Sequence, residues 1–424
     1  MPVSIAGALV GSRNLLPDRL ITDSGGTYRL KQVARIAVSG LQLHFANWYA
    51  NTAGTGDVNG PNSYTIGACY LEHAGTLAQV LFPGSATSVS VPAGGDVQGT
   101  VTRTIAAGDT YYIRSYVTPD TGGGSYPGLN GVVDYPVELH VKASDQANAT
   151  GDLTQYGSFF GPCMVTGTQT GGSRYGVAVV GDSLAEGIAD DFSAVDHVGY
   201  LYRALNGNRP FLIFAVSGEQ GAEYVAQGAH RSLYIGPGAQ YLICEYGIND
   251  LQGGRTLAQT QASMLSIWSA AVGRNAALRV YQTTITPKSS STDGWTTTAN
   301  QTADGAVEPI RPILNAWIRA GAPISGGGAV AVGTPGALLA GQPGHPLYGY
   351  LEIADLAESA RDSGKWRVDG GAHTDDGIHP NVTGHLALIP GVSMTALAHV
   401  PLATATSSAP LVSALRRRLR LLAR

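Results

Sequence analysis

The chain of 424 residues is long for a single domain, and its 26 basic and 30 acidic side chains leave a formal net charge of −4. That balance gives no basis for binding nucleic acid, and no stretch reaches the roughly eighteen uninterrupted apolar residues a membrane span needs. Three cysteines, Cys69, Cys163 and Cys244, are too few and too scattered for a disulfide framework or a zinc site.

From Gln32 to Ala143 the sequence reads as short strands separated by turn residues. Val33–Val38, Leu41–Trp48, Ser63–Leu71, Thr87–Val91, Gly99–Ile105, Thr110–Val117 and Val137–Val141 alternate apolar with polar residues and favour β-branched and aromatic types. This rhythm predicts an all-β, sandwich-like domain over residues 1–170, with Thr121–Ser125 and Asn148–Gly172 as connections. Trp48, Tyr49 and Tyr64 fit two roles equally, stacking on sugar rings or filling the core.

After Tyr175 strand-like runs alternate with helical patterns: Val177–Val180 and a helix through Leu201, then Pro210–Val216 and Gln240–Tyr246. A helix over Thr256–Val272, a strand over Leu278–Thr284 and a helix over Val307–Ala320 follow. The alternation predicts an α/β domain over residues 171–400, a parallel sheet with helices on both faces. In residues 401–424, Arg416, Arg417, Arg418, Arg420 and Arg424 interleave with leucines, a basic amphipathic tail. Such a tail either packs on its own domain or docks onto an anionic surface or a partner subunit.

Val177 to Gly181 is an apolar run that stops at glycine, and Ser183 follows two residues later on the first turn of a helix. That turn would set the Ser183 hydroxyl at the carboxyl edge of the sheet, where ligands collect in open α/β folds. A serine hydroxyl needs a base, the base needs an orienting acceptor, and the oxyanion needs fixed donors. Asp376 lies three residues before His379, close enough to hold its Nδ1 and leave Nε2 for Ser183. Gly218, after Pro210–Val216, can offer a backbone N–H, and Asn249, after Gln240–Tyr246, a side-chain amide. Each fragment alone also fits a plain structural role: a helix cap at Asp182-Ser183 or Asn249-Asp250, a strand-end turn at Gly218, an exposed His379 after an Asx turn. His373, Asp375, Asp376 and His379 additionally form a cluster of metal-ligand types, with no second cluster to complete a site.

Taken in order, Gly181-Asp182-Ser183-Leu184 with Gly187, then Gly218, then Gly247-Ile248-Asn249-Asp250, then Asp376-Gly377-Ile378-His379, the chain resembles the GDSL (SGNH) hydrolases over about residues 174–400. The resemblance implies a three-layer α/β/α fold and ester hydrolysis through an acyl-enzyme, with no cofactor. It makes Ser183 the nucleophile, His379 the general base and acid, and Asp376 the orienter. The N–H groups of Ser183 and Gly218, with Asn249, would form the oxyanion hole. One departure stands out: the family often carries an Asn shortly before the second-block glycine, and Phe211–Ser217 contains none.

A β-rich region ahead of such a hydrolase resembles carbohydrate esterases with a jelly-roll or lectin-like module. Deacetylation of a polysaccharide is therefore the first expectation for the substrate. An esterase or lipase for non-carbohydrate acyl esters, and a non-catalytic glycan-binding or attachment protein with a relict hydrolase domain, are the alternatives. The start of the chain lacks the pattern of a signal peptide. That suggests a soluble protein, reconciled with an external substrate if it is a phage or virus-like particle component, and otherwise cytoplasmic. Homo-oligomer formation, or attachment to a larger assembly through the first domain or the tail, belongs to the same expectation.

Overall fold

Alternation of apolar and polar residues builds the first half of the chain into antiparallel sheets. The structure, a computed structural model, describes residues 7–392 apart from 12–13, 52–55, 122–123, 130–138, 143, 154–158, 172–174, 192–197 and 208. One sheet has the order Ala8–Leu9, Met164–Gly171, Ala37–Ala46, Asp96–Ile105. A second runs Val89–Val91, Tyr64–His73, Thr110–Pro119, Gly26–Val33, Leu139–Lys142. In Ala37–Ala46 the buried side chains Val38, Leu41, Leu43 and Phe45 face inward. The register shifts opposite Ser39 and Leu41, and Gly40 takes φ +70° there, the local kink of a bulge.

Phe160 joins the two sheets. Its ring lies 6.0 Å from Phe45 of one sheet and 5.6 Å and 5.4 Å from Tyr28 and Tyr64 of the other. Burying one such ring contributes about 2–3 kcal/mol. Trp48 and Tyr64 are fully buried, so these two aromatics belong to the core and present no face to a sugar.

Two expectations for this half need correction. Asn148–Gly172 is not only a connection: Phe159 and Phe160 are core residues, and Met164–Gly171 pairs along Ala37–Ala46. Gly167 and Gly171 hid the strand, and a Cβ at Gly167 would come within 2.9 Å of the Gly40 carbonyl oxygen. Val33–Val38 is not one strand either. Gly26–Val33 ends, Arg35 donates its N–H to the Val10 carbonyl, and a new strand starts at Ala37.

The second half is a six-stranded parallel sheet in the order Asn14–Leu15, Phe211–Ala215, Gly176–Gly181, Ala239–Glu245, Arg279–Thr283, Gly349–Leu351. Successive strand residues feed two different cores, as burial on both faces requires. Ala178, Val180, Leu212, Phe214, Leu242 and Cys244 pack with Met264 and Trp268 of the helix Leu257–Arg274 and with Leu314 and Trp317 of Arg311–Arg319. Val177, Val179, Phe211, Tyr241 and Ile243 pack with Tyr200, Leu201 and Leu205 of Tyr200–Leu205 and with Leu388 of Val382–Leu388. The result is the expected three layers, helices on either side of one sheet. The expected helix through Leu201 is interrupted: Ser183–Glu186 stops at Gly187, φ +84°, whose backbone lies against Gly199, and residues 192–197 are outside the description. The basic tail, residues 401–424, also lies outside it.

The two halves share strands and core. Asn14 pairs with Leu212 in the parallel sheet, donates its amide to the Phe211 carbonyl at 2.7 Å and accepts from the Val165 N–H at 2.6 Å. Trp48 packs edge-on to Phe214 at 6.3 Å. Chain order reverses about the central strand Gly176–Gly181, with Phe211–Ala215 on one side and Ala239–Glu245 on the other. A crevice opens beyond the carboxyl ends of strands at such a point.

Candidate active site

Ser183, Gly218 and Asn249 follow the carboxyl ends of the three central strands. The Ser183 turn is fixed at both ends. Asp182 Oδ1 accepts the Leu184 N–H at 3.0 Å, and the Gly187 N–H returns to the Ser183 and Leu184 carbonyls. Gly181 has to be glycine: a Cβ there would sit 2.8 Å from Ala185 Cβ and 2.9 Å from Glu245 Oε2.

His379 and Asp376 lie on the turn just ahead of the helix Val382–Leu388. Asp376 Oδ1 accepts the N–H groups of Ile378 and His379, each at 2.8 Å, and Oδ2 lies 2.6 Å from His379 Nδ1. His379 Nε2 lies 2.8 Å from Ser183 Oγ. Burial opposes the Asp376 charge, but the His379 ring and the two backbone donors outweigh it and hold the carboxyl well below its usual range. An ionised carboxylate only accepts, so His379 Nδ1 must carry the hydrogen and Nε2 must accept from the serine. That arrangement can draw a proton from Ser183 and keep the resulting imidazolium beside a negative charge. The turn itself is clamped: the Gly377 carbonyl accepts from Trp366 Nε1 at 2.9 Å and from the Ser289 N–H at 3.1 Å.

Gly218 has φ +78°, with open space where a Cβ would stand, so the left-handed backbone rather than crowding calls for glycine. Asn249 Nδ2 donates to the carbonyl of Glu219 at 3.3 Å, which ties the third block to the second. Asp250 Oδ2 accepts the Gly221 N–H at 2.7 Å. Beside Gly218, the Ser217 hydroxyl donates to Glu186 of the helix Ser183–Glu186.

The cluster His373, Asp375, Asp376 and His379 does not converge. His373 Nε2 bonds the Asp369 carbonyl at 2.9 Å, and Asp375 accepts from Asn381 at 2.8 Å. No group of three metal-ligand side chains is brought together among the described residues. The cysteines are buried, and burial pushes the thiols of Cys69 and Cys244 up to about 12, far from thiolate character at neutral pH.

Sequence reading missed a buried carboxyl pair beneath the Ser183 turn. Glu245 ends its strand with Oε2 3.5 Å from the Asp182 N–H, and both side chains are buried. Burial raises both pKa values, that of Asp182 to about 7 and that of Glu245 well above the carboxylate range, where the neighbouring Asp182 charge adds to it. Asp182 Oδ2 lacks a donor among the described residues as long as both groups are ionised. A proton on Glu245, donated to Asp182, satisfies it. The legible signal was a glutamate ending an otherwise apolar strand. The pairing of Arg231 with Glu219 was missed as well, and Asp57, the second partner of Arg231, lies too far away in sequence for any local pattern to reveal it.

The model of the GDSL-like lipase/acylhydrolase family matches residues 179–387. No curated protein sequence matches the chain. Among solved structures, a GDSL-like lipase from Bacteroides thetaiotaomicron is 14% identical, with 52% of this chain and 87% of that one covered and a TM-score of 0.35. An active-site mutant of a family two carbohydrate esterase from Clostridium thermocellum is 8% identical over 92% of this chain and 97% of that one, TM-score 0.38. A carbohydrate esterase family 3 protein from Talaromyces cellulolyticus is 16% identical over 53% and 96%, TM-score 0.32. The region that carries Ser183, Gly218, Asn249, Asp376 and His379 thus belongs to the GDSL-like lipase/acylhydrolase family, and the protein is an ester hydrolase.

Proposed function

We propose that the protein is a serine esterase that removes short acyl groups, acetyl first among them, from a carbohydrate. Ser183 attacks the ester carbonyl as His379 takes its proton, and Asp376 holds the imidazole and balances its charge. The N–H groups of Ser183 and Gly218 and the amide of Asn249 receive the oxyanion. Collapse of the tetrahedral intermediate expels the alcohol, protonated by His379, and leaves an acetyl ester on Ser183. Water, deprotonated by the same imidazole, then releases acetate. The observation that carries this reading is the continuous chain Asp376 Oδ2 to His379 Nδ1 at 2.6 Å and His379 Nε2 to Ser183 Oγ at 2.8 Å.

One feature favours a large polar alcohol. The Asp376 and His379 side chains keep 48% and 22% of their surface exposed, so the bases face an open crevice that a bulky polymer can approach. The test is acetate release from a panel of acetylated polysaccharides, beside p-nitrophenyl esters of increasing acyl length. Acetate from at least one polysaccharide, with rates falling as the acyl chain lengthens, is expected. Cleavage of long-chain esters with no acetate from any polysaccharide refutes the carbohydrate assignment.

A further inference from the structure

The hairpin Trp48–Asn51 and Gly56–Asn59 of the β-rich half reaches the loop that carries Gly218. Asp57 accepts from Arg231 twice, from Nε at 2.6 Å and from the backbone N–H at 2.8 Å. The same guanidinium gives its two terminal nitrogens to Glu219, at 2.7 Å and 2.5 Å. Tyr246, at the end of the strand before Asn249, donates its hydroxyl to Glu219 at 2.5 Å. Glu219 follows Gly218 directly, and its own carbonyl is the one that holds Asn249. The Asp57 and Arg231 side chains are fully buried and Glu219 nearly so.

We propose that Asp57 is a positioning residue of the ester-hydrolysing site, acting through Arg231 and Glu219 to fix Gly218 and Asn249. The inference rests on the reading of Ser183, Gly218 and Asn249 given above. A buried guanidinium requires acceptors on all sides, and those charge-assisted bonds are short and directional. With Asp57 on one edge and Glu219 on the other, Arg231 has one place to sit. Glu219 is then held by Arg231 and Tyr246 together, and the backbone that presents the Gly218 N–H is held one bond away. The β-rich half therefore supplies part of the machinery around the oxyanion, rather than only a surface for attachment. The same hairpin also makes contacts outside this chain of charges: Asn59 pairs with His230 at 3.0 Å, and Trp48 stacks on His230 at 5.1 Å. Those contacts dock the hairpin without touching Glu219.

The test is steady-state hydrolysis of p-nitrophenyl acetate by the full chain, with folding checked by circular dichroism, in Asp57→Asn, Tyr246→Phe, Asn59→Ala and Ser183→Ala. Loosened oxyanion donors lower kcat more than they raise KM. Asp57→Asn is expected to lose about tenfold to a hundredfold in kcat, the scale of a displacement of about an ångström in a reacting group. Its KM should stay within about twofold, and so should both constants of Asn59→Ala. Tyr246→Phe should lose kcat in the same manner, and it decides the matter if Asp57→Asn does not fold. A folded Asp57→Asn with native kcat, a folded Tyr246→Phe with native kcat, or equal losses in Asp57→Asn and Asn59→Ala overturn the proposal. A native rate in Ser183→Ala overturns the reading beneath it, and the positioning role falls too; loss in Ser183→Ala with none in Asp57→Asn overturns the positioning role alone.

Discussion

Replacing Glu245 with glutamine tests the buried carboxyl pair beneath the Ser183 turn. In the folded protein burial makes Glu245 hold its proton to higher pH than the unfolded chain, which releases it near the ordinary carboxylate value, about 4.3 for glutamate. A pKa raised by folding contributes stability that is fully present below the unfolded value and is lost as pH rises through the folded one. Each unit of difference is worth 1.36 kcal/mol, so a carboxyl that keeps its proton over the two units from pH 5 to pH 7 costs the native protein at most about 3 kcal/mol. The Asp182 carboxyl, itself pushed up to about 7, still titrates in that window and adds to the loss. Glu245→Gln keeps the size of the side chain, removes the titrating carboxyl and offers Asp182 Oδ2 an amide donor. The glutamine protein should therefore gain on the native one steadily from pH 5 to pH 7. Urea unfolding followed by tryptophan fluorescence at half-unit steps gives the difference at each pH. The buried imidazoles of His44 and His385, each lowered by burial to about 4, shift both proteins alike and cancel in the difference. A difference constant to within about 0.5 kcal/mol across that window refutes the shared proton.

Asp376→Asn should leave KM for p-nitrophenyl acetate nearly unchanged and lower kcat by about 10⁴, because the amide no longer fixes the imidazole with its hydrogen on Nδ1. A loss below tenfold in stopped assays would mean that Asp376 does not orient His379. Gly377→Ala should lose at least about a hundredfold in kcat, the cost of misplacing a catalytic group by about an ångström. Gly377 has φ +84°, and a Cβ would lie 1.9 Å from the Ser289 carbonyl oxygen and 2.7 Å from the Trp295 ring, so the turn that carries Asp376 and His379 must move. Native kinetics in a folded Gly377→Ala would contradict that crowding.

The parallel sheet was legible because burial on both faces leaves nearly pure apolar runs, as in Phe211–Ala215. The candidate site was legible because its residues follow those runs at once, and because Asp376 and His379 share one turn whose bonds are local. Asn14–Leu15 was not legible, since two residues carry no period, and its place in the sheet rests on the long-range bonds of the Asn14 amide. Met164–Gly171 was obscured by glycines that serve close backbone approach. Trp48 shows the limit of reading one residue: its sequence neighbours do not say whether a ring faces water, and only packing against Phe214 and His230 places it in the core. The link from Asp57 to Glu219 spans 162 positions of sequence and exists only once both halves have folded.

The central claim is that Ser183 forms the covalent intermediate. Treatment with an organophosphorus ester, followed by peptide mass spectrometry, tests it most directly. A single phosphoryl adduct on Ser183, formed in step with the loss of esterase activity and missing from Ser183→Ala, is the predicted result. An adduct on another residue that tracks the loss of activity, or a Ser183→Ala protein that hydrolyses esters at the native rate, would contradict it.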